Sequence, residues 1–140
     1  RFGVDWKPDL PFTDDTLVYA AYSKGYKAGG INPPQSVGLS GVAAQFAPEF
    51  VNAYEIGTKN TLLDGRLLLN ITGFFYNYEG YQISRIVSRT AVNDNIDAEI
   101  RGLEIESIFE PINNLRFNLN LGLLESEIKE GSLIDIFDKR

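Results

Sequence analysis

The sequence predicts an all-β protein: an antiparallel up-and-down meander of about six strands, built like an arc of a transmembrane β-barrel wall. Three observations predict this fold. Apolar and polar side chains alternate along several long runs, as in strands with one oily face and one wet face. Turn-forming residues separate the runs, and short connections alternate with long ones. Aromatic residues collect toward both ends of the runs.

Composition excludes several other classes of protein. The 140 residues contain no Cys and no His, which removes the usual zinc and haem ligands, catalytic imidazole or thiolate, and any disulfide framework. Thirteen Lys and Arg against nineteen Asp and Glu leave a net charge of −6, so the basic surface that nucleic-acid binding needs is missing. We therefore expect no nucleic-acid partner, no cofactor, no metal and no enzymatic activity.

Membrane insertion by a helix is not expected either. No apolar run approaches the roughly 18 residues of a spanning helix, so a membrane role must come from strands. The chain starts at Arg1 and contains no Met, which leads us to expect a piece of a longer protein.

The predicted strands follow one another along the chain, beginning with the tail of a strand. Their ranges are Phe2 to Lys7, 16–27, 50–63, 66–83, 97–110 and 116–128. About eight strands are the practical minimum for a closed barrel, so we expect an arc of a larger wall or an open sheet with exposed edges.

The connections between these strands fall into two length classes. The short class comprises Pro8 to Asp14, Asp64-Gly65 and Pro111 to about Leu115. The long class runs from about Lys27 to Pro48 and from about Gly80 to Asp97. Because the classes alternate, all short turns fall at one end of the meander and all long loops at the other, as in transmembrane barrels.

The Asp64-Gly65 pair predicts a tight hairpin, because both residue types tolerate the positive φ of a type I′ turn. Placing Leu63 opposite Arg66 fixes the register. One face then collects the mostly apolar pairs Leu62/Leu67, Asn60/Leu69, Thr58/Ile71, Ile56/Gly73 and Tyr54/Phe75. The other face collects Lys59/Asn70, Gly57/Thr72 and Glu55/Phe74.

A second hairpin shows the same sidedness. Its second strand alternates apolar odd positions from Leu115 to Leu123 with polar or small even positions from Arg116 to Gly122. An odd-length turn after Glu110 pairs Phe109 with Phe117, Ile105 with Leu121 and Leu103 with Leu123, and places Glu104 and Glu106 beside Gly122 and Asn120. One lipid-facing side explains this agreement between the strands.

Aromatic side chains form two groups at opposite strand ends. Trp6, Phe12, Phe109 and Phe117 fall near the short turns, whereas Tyr22, Tyr26, Tyr54, Tyr76, Tyr78 and Tyr81 fall near the long loops. Two girdles at the edges of a hydrocarbon layer would produce this pattern. The alternative is the general enrichment of aromatic residues in strands.

Several segments, taken in their order along the chain, resemble the barrel domain of TonB-dependent receptors. They are residues 18–32 (VYAAYSKGYKAGGIN), Pro48-Glu49, 54–59 (YEIGTK), 67–78 (LLLNITGFFYNY) and 102–106 (GLEIE). The resemblance implies a 22-stranded barrel in the outer membrane of a Gram-negative bacterium, plugged from inside. It also implies TonB-energised uptake of a scarce nutrient such as a ferric siderophore, cobalamin or a sugar.

The sequence also departs from the family pattern. It contains neither the plug domain nor the short segment that contacts TonB, and it ends in Asp138-Lys-Arg140 where the family has a terminal aromatic strand. We therefore expect residues 1–140 to be a partial barrel domain from the later part of the barrel. The implied partners are outer-membrane lipid, the remaining barrel and plug, the TonB system and a small nutrient.

Two sets of residues are candidates for function. Glu55, Lys59, Glu104 and Glu106 are predicted to face the lumen, where they would contact the plug or solute, or form a solvated inner wall. Tyr22, Tyr26 and Lys27, at the base of the first long loop, are candidates for contact with an external ligand, although a girdle role explains the tyrosines equally well.

A soluble β-sandwich is the main alternative to the barrel arc. In that fold the same apolar faces would pack into a core, and surface tyrosines would stack on a carbohydrate. Long strands and unequal loops favour the barrel, because sandwich strands are usually about five or six residues long.

Overall fold

The computed structural model describes residues 1–39 and 41–130. Its strands are β1 (Phe2–Trp6), β2 (Asp15–Lys27), β3 (Gly30–Ile31), β4 (Gln45–Phe46), β5 (Glu49–Leu62), β6 (Leu67–Val87), β7 (Thr90–Ile112) and β8 (Leu115–Glu130). A 3₁₀ turn at Pro34–Ser36 lies between β3 and β4.

Residues 138–140, on which the expected departure at the C-terminus rests, lie outside the described range. Within that range, no helix is long and apolar enough to cross a membrane.

Six of these strands form one sheet in the order β1-β2-β5-β6-β7-β8, and β3 pairs with β4 in a small second sheet. The pairing of β1 with β2 is antiparallel and sets Phe2 opposite Tyr22 and Trp6 opposite Val18. Each strand of the large sheet pairs with its neighbour along the chain once the short β3–β4 insertion is set aside. The predicted antiparallel meander is therefore confirmed.

The chain divides into two compact units. The turn-side unit comprises Arg1–Lys24, Asn52–Tyr76 and Ile100–Ser126, and it includes the connections β1–β2, β5–β6 and β7–β8. The loop-side unit comprises Gly25–Val51, Asn77–Glu99 and the chain from Glu127, and it includes the β2–β5 and β6–β7 connections.

In the turn-side unit, the predicted hairpin forms with the predicted register. Asp64 and Gly65 have φ values of 56° and 79°, and Leu63 also has a positive φ. The Arg66 amide donates to the Leu63 carbonyl at 3.3 Å, which closes the turn. The Tyr54 and Phe75 rings lie 6.3 Å apart across β5 and β6, as expected for residues that face each other.

The second predicted turn differs slightly from expectation. Strand β7 continues through Pro111 to Ile112, so only Asn113 and Asn114 separate it from β8. Asn114 adopts a φ of 69°, which asparagine tolerates better than most residues. The wider turn predicted from Pro111 to Leu115 is therefore too long.

Hydrophobic side chains of the turn-side unit are not buried in a core. Among the described residues, the buried hydrophobic side chains are Val42, Val87, Val92 and Ile96, which all belong to the loop-side unit. Phe117, Leu119 and Leu121 are each 54% exposed. A β-sandwich would cover this face with a second sheet, and the described part of the turn-side unit contains a single layer.

The loop-side unit has a small core of its own. Val42, Val87 and Val92 pack together, and the Ser36 side chain is completely buried. Strands β3 and β4 pair Gly30 with Phe46 and so shape the predicted long loop between Lys27 and Pro48. The long connection predicted from about Lys27 to Pro48 is present, and it contains the short β3–β4 pair, which was not among the predicted strands.

The second predicted long loop, from Gly80 to Asp97, is wrong. Strand β6 continues to Val87, and β7 begins at Thr90, so only Ser88 and Arg89 separate them. These two residues have φ values of 49° and 67°, as a tight turn requires. Polar side chains pair across the hairpin, including Arg85 with Asp94. Such pairing lets a hydrophilic segment form strands, and the predicted alternation of short and long connections fails at this point.

Candidate functional site

The strands of the turn-side unit have a polar face and an apolar face. The polar face comprises the odd-numbered residues of β5 and the even-numbered residues of β6, β7 and β8; the apolar face is the opposite side. A shallow hollow of about 330 Å³ lies on the polar face. Its polar lining residues are Asn70, Glu106, Arg116, Asn118 and Asn120. Leu68 and Ile108 also line it, so polar groups from β6, β7 and β8 converge on one side, as the sequence pattern predicts, on a face that carries some apolar residues.

Glu55 and Lys59 each contact an aromatic residue on this face. The Tyr76 hydroxyl donates to Glu55 Oε1 at 2.9 Å, and the Phe74 ring stacks against Tyr76 with centroids 5.0 Å apart. Lys59 Nζ lies 5.9 Å from the centroid of the Tyr19 ring, within range of a cation–π contact. The two charged groups are thus positioned by neighbouring rings.

Tyr19 crosses β5 and reaches β6. Its hydroxyl lies 2.9 Å from Thr72 Oγ1, and the ring passes over Gly57. A Cβ atom at Gly57 would lie only 2.7 Å from both the Ile71 carbonyl oxygen and the Tyr19 hydroxyl, so a larger residue would displace the Tyr19 ring and crowd the backbone of β6. This contact is not among the features predicted from the sequence. The signal for it was a glycine inside a strand, which often marks the close approach of another group.

Glu104 and Glu106 lie on the same strand face, two positions apart. Asn70 Nδ2 donates to Glu106 Oε2 at 3.4 Å, and both glutamates are exposed. Strand alternation places Glu104 on the side of Glu106. The structure therefore brings the four predicted lumen residues to one face, and their orientation toward a lumen stays a prediction.

The three candidate ligand residues do not form one cluster. Tyr22 lies on the apolar face, where its ring is 5.1 Å from Tyr54 and its hydroxyl donates to Asn52 Oδ1 at 2.9 Å. In the loop-side unit, Tyr26 packs on Phe50 at 5.2 Å. Its neighbour Lys27 points to the other side of β2 and lies 4.0 Å from Glu49 Oε2. Contact between these residues and a ligand stays a prediction.

One family model matches almost the whole chain. The model for the β-barrel of TonB-dependent receptor-like proteins matches residues 1–131. The chain belongs to the TonB-dependent receptor barrel family. No solved structure matches it. The resemblance stated from the sequence is thereby confirmed, and the family consists of outer-membrane receptors and transporters, not enzymes.

In this receptor barrel, Asn32 fastens the first long loop to the β6–β7 hairpin. Its side chain is only 3% exposed. Asn32 Nδ2 donates to the Ala43 carbonyl at 3.0 Å and to the Asn93 carbonyl at 2.9 Å. The Asn93 amide donates in turn to Asn32 Oδ1 at 2.8 Å. The side-chain amide of Asn32 therefore bonds both the N–H and the carbonyl of Asn93, as a neighbouring strand would.

Gln82 and Asn95 fasten the same loop at its base. Gln82 Nε2 donates to the carbonyls of Ala28 and Ala47 at 2.9 and 3.2 Å. The Ala47 amide donates to Asn95 Oδ1 at 2.6 Å, and Asn95 Nδ2 donates to the Ala47 carbonyl at 3.0 Å. We call Asn32, Gln82 and Asn95 the amide clamp. The amide clamp was not predicted from the sequence, because isolated Asn and Gln residues give no signal of their distant main-chain partners.

Tyr78 belongs to the loop-side unit of the receptor barrel. A strand needs about 9–11 residues to cross a bilayer. Counted from the first residue of β6, Leu67, that stretch ends before Tyr78. Burial raises the pKa of the Tyr78 phenol, and the Glu49 carboxylate and Tyr81 raise it further. Within residues 1–39 and 41–130, no group of three or more acidic residues is arranged to hold a metal ion.

Proposed function

We propose that this chain forms part of the wall of an outer-membrane receptor that takes up a scarce nutrient, such as a ferric siderophore, with energy from the TonB system. The single observation that carries the proposal is the apolar face of the turn-side unit. Large hydrophobic side chains remain exposed there, and no described residue of the unit buries a hydrophobic side chain. Such a surface is stable when lipid covers it.

The length of the apolar band supports a lipid neighbour. On β8 the apolar face is hydrophobic from Leu115 to Leu123, which matches the about nine to eleven residues of a strand that crosses a bilayer. Glu125 follows on the same face and pairs with Arg101 of β7 through two contacts of 3.0 Å. The hydrophobic part of the apolar face thus ends at paired positions, Arg101 on β7 and Glu125 on β8.

The opposite side of these strands supports a water-filled interior. Glu55, Lys59, Glu104 and Glu106 would face the lumen, where a plug or a passing solute would meet them. Tyr22 would belong to the aromatic girdle, and contact with an external ligand would be left to Tyr26, Lys27 and the loop-side unit. The location would be the outer membrane of a Gram-negative bacterium.

The edges of the sheet support a larger assembly. Strands β1 and β8 are the outermost strands of the six-stranded sheet. Unpaired strand edges promote pairing with further strands. We therefore assign residues 1–140 to a partial barrel domain, with the remaining strands and the plug as its partners.

Cysteine substitutions at neighbouring positions test the sidedness. The chain has no native Cys, so Asn118→Cys and Leu119→Cys each introduce a single thiol into it. In intact outer membranes that contain the full-length protein, a water-soluble maleimide should label Asn118→Cys and leave Leu119→Cys unlabelled. Equal labelling of both positions would contradict a lipid-facing apolar side.

Uptake measurements test the nutrient. Cells that carry the full-length protein should accumulate radiolabelled ferric siderophore, and cells without it should not. Cells that carry it but lack TonB provide the control and should bind the compound without accumulating it. If accumulation is unchanged after removal of the protein, across a panel of ferric siderophores, uptake of ferric siderophores is contradicted. The assignment to a barrel wall is tested separately by the labelling experiment.

A further inference from the structure

Strand β6 contains a β-bulge at Gly80, in the loop-side unit. Gly80 has a φ of 65° within a strand that runs from Leu67 to Val87. Glycine in the left-handed conformation is typical of one common type of bulge, in which two residues of one strand oppose a single residue of its partner. A Cβ atom at Gly80 would lie 2.9 Å from the Pro48 carbonyl oxygen, so this backbone conformation excludes a larger residue.

The bulge changes the side to which the next residue points. In a regular strand, residues three positions apart point to opposite faces. The rings of Tyr78 and Tyr81 instead meet edge to face, with centroids 5.2 Å apart and an interplanar angle of 76°. The extra residue of a bulge between them accounts for this contact. Gly80 therefore places Tyr81 on the side of β6 that carries Tyr78.

Side chains from the neighbouring strands bond the backbone around the bulge. The Gly80 amide donates to Asp97 Oδ1 at 2.8 Å, and Asn95 Nδ2 donates to the Gly80 carbonyl at 2.6 Å. Two residues further on, the Gln82 amide donates to Glu49 Oε2 at 2.9 Å. A bulge interrupts the hydrogen-bond ladder of a sheet, so these side chains satisfy backbone groups that the ladder would otherwise serve.

A charged pair lies beside the two tyrosines. Lys27 Nζ is 4.0 Å from Glu49 Oε2; the lysine side chain is 63% exposed and the glutamate side chain 13%. The Glu49 carboxylate lies close enough to Tyr78 to add to the effect of burial in raising the pKa of that phenol. Tyr81 is 39% exposed. An exposed ammonium group and an exposed ring are thus connected through one carboxylate and Tyr78.

We propose that Tyr78, Tyr81 and Lys27 form a contact site for a hydroxylated ring of the imported solute. The ring stacks on Tyr81, and its oxygens accept hydrogen bonds from the Lys27 ammonium group and the Tyr78 hydroxyl. Asp97 is a positioning residue, because it holds the bulge that places Tyr81 beside Tyr78. The inference rests on the proposed function, because it requires this surface to meet a solute. A catechol group of an iron chelator and a sugar both supply such a ring.

Removal of the Tyr81 ring tests the contact site. The full-length protein in mild detergent is titrated with a ferric tris-catecholate, a neutral oligosaccharide and a ferric tris-hydroxamate that lacks a hydroxylated ring. Wild type should bind the catecholate or the oligosaccharide, and Tyr81→Ala should bind that probe about tenfold more weakly, because the stacking contact is lost. Tyr81→Phe keeps the ring and should retain most of the binding.

Tyr22→Ala is the matched control. It removes the ring of a tyrosine that contacts Tyr54 in the turn-side unit and that the proposed function assigns to the girdle. This variant should bind the probe as wild type does. Flotation with vesicles checks that every variant inserts into a bilayer.

Substitution of Asp97 tests the positioning role. Asp97→Ala removes the acceptor of the Gly80 amide and should weaken binding of the same probe about fivefold, whereas Asp97→Asn keeps an acceptor oxygen and should bind as wild type does. Deletion of Gly80 removes the bulge and leaves Tyr78 and Tyr81 two positions apart, on one side of a regular strand. In that background, Asp97→Ala should no longer weaken binding, a result that a general loss of stability would not give.

Each outcome separates this site from the proposed function. Equal binding by wild type and Tyr81→Ala, binding of the tris-hydroxamate alone, or binding of no probe would overturn the contact site. Equal binding by wild type and Asp97→Ala, with Tyr81→Ala impaired, would overturn the positioning role. Binding of the catecholate identifies an iron chelator as the source of the ring, and binding of the oligosaccharide identifies a sugar. The uptake and thiol-labelling experiments test the proposed function independently of all these results.

Discussion

Gly57 allows an aromatic residue to link strands that are not neighbours in the sheet. Tyr19 of β2 reaches Thr72 of β6 across the Gly57 position of β5, and Lys59 lies over the same ring. The contact joins three strands through one side chain. Its geometry depends on the absence of a Cβ atom at one residue.

We expect Gly57→Val to destabilise the turn-side unit by about 1–3 kcal/mol, because the new side chain would overlap the Ile71 carbonyl oxygen of β6 and the Tyr19 ring. Thermal unfolding of the full-length protein in detergent measures the effect. Gly122→Val, which meets no nearby atom, is the control and should change stability by less than about 0.5 kcal/mol. Equal effects of the two substitutions would show that the Gly57 position does not require the absence of a side chain.

Asn32 has a comparable role in the loop-side unit. We expect Asn32→Ala to weaken local stability by about 1–3 kcal/mol, because the Asn93 amide and two carbonyls lose their partner. Hydrogen exchange measures the effect as faster exchange at Asn93. Gln35→Ala removes an exposed amide from the same loop and should leave the exchange at Asn93 unchanged. Unaltered protection in Asn32→Ala would contradict the clamp.

At the scale of elements, the predictability of a strand follows from its surroundings. Strand β8 is predictable because apolar residues from Leu115 to Leu123 alternate with polar or small ones, as expected of a strand with one oily side and one wet side. The parts of β6 and β7 in the loop-side unit lack this alternation at residues such as Asn93 and Asp94. Their strand conformation depends on cross-hairpin partners, which sequence spacing alone does not reveal.

The candidate site was predictable to the same extent. Alternation placed Glu55, Lys59, Glu104 and Glu106 on one face. Alternation also separates Tyr26 from Lys27, which the grouping of candidate ligand residues by sequence position overlooked. The contact between Tyr19 and Thr72 joins residues 53 positions apart and needs the order of three strands, which the pairwise hairpin registers did not supply.

The β6–β7 turn offers a prediction at this scale. Arg89 has a φ of 67°, which costs an L-residue about 1–2 kcal/mol and costs glycine little. We expect Arg89→Gly to stabilise the hairpin by up to about 1 kcal/mol. Slower hydrogen exchange at Val87 and Thr90 would report the gain. Arg116→Gly, in the extended backbone of β8, is the contrasting variant and should destabilise its own strand.

At the scale of the molecule, the two units are stabilised in different ways. The loop-side unit buries Val42, Val87 and Val92, as a protein in water does. The turn-side unit instead exposes Phe117, Leu119 and Leu121 along one side. This exposed side is the observation on which the proposed contact with lipid rests.

We expect the 140-residue chain to aggregate in aqueous buffer and to become dispersed in detergent, because its apolar face is uncovered. Sedimentation velocity with and without detergent measures this. Replacing Leu119 and Leu121 together by Thr should lower the detergent concentration needed, whereas replacing Asn118 and Asn120 by Thr should not. Clean monomeric sedimentation of the unmodified chain in buffer would contradict the barrel assignment.

The amide clamp has a consequence for how such receptors diversify. Asn32, Gln82 and Asn95 bind mainly to main-chain atoms of Ala28, Ala43, Ala47, Gly80 and Asn93, and those atoms are the same whatever side chain is present. Exposed neighbours such as Ile31 and Ile86 can therefore be substituted without breaking these hydrogen bonds. Substitutions at such positions can therefore change the exposed surface of the loop-side unit while the amide clamp keeps its backbone in place.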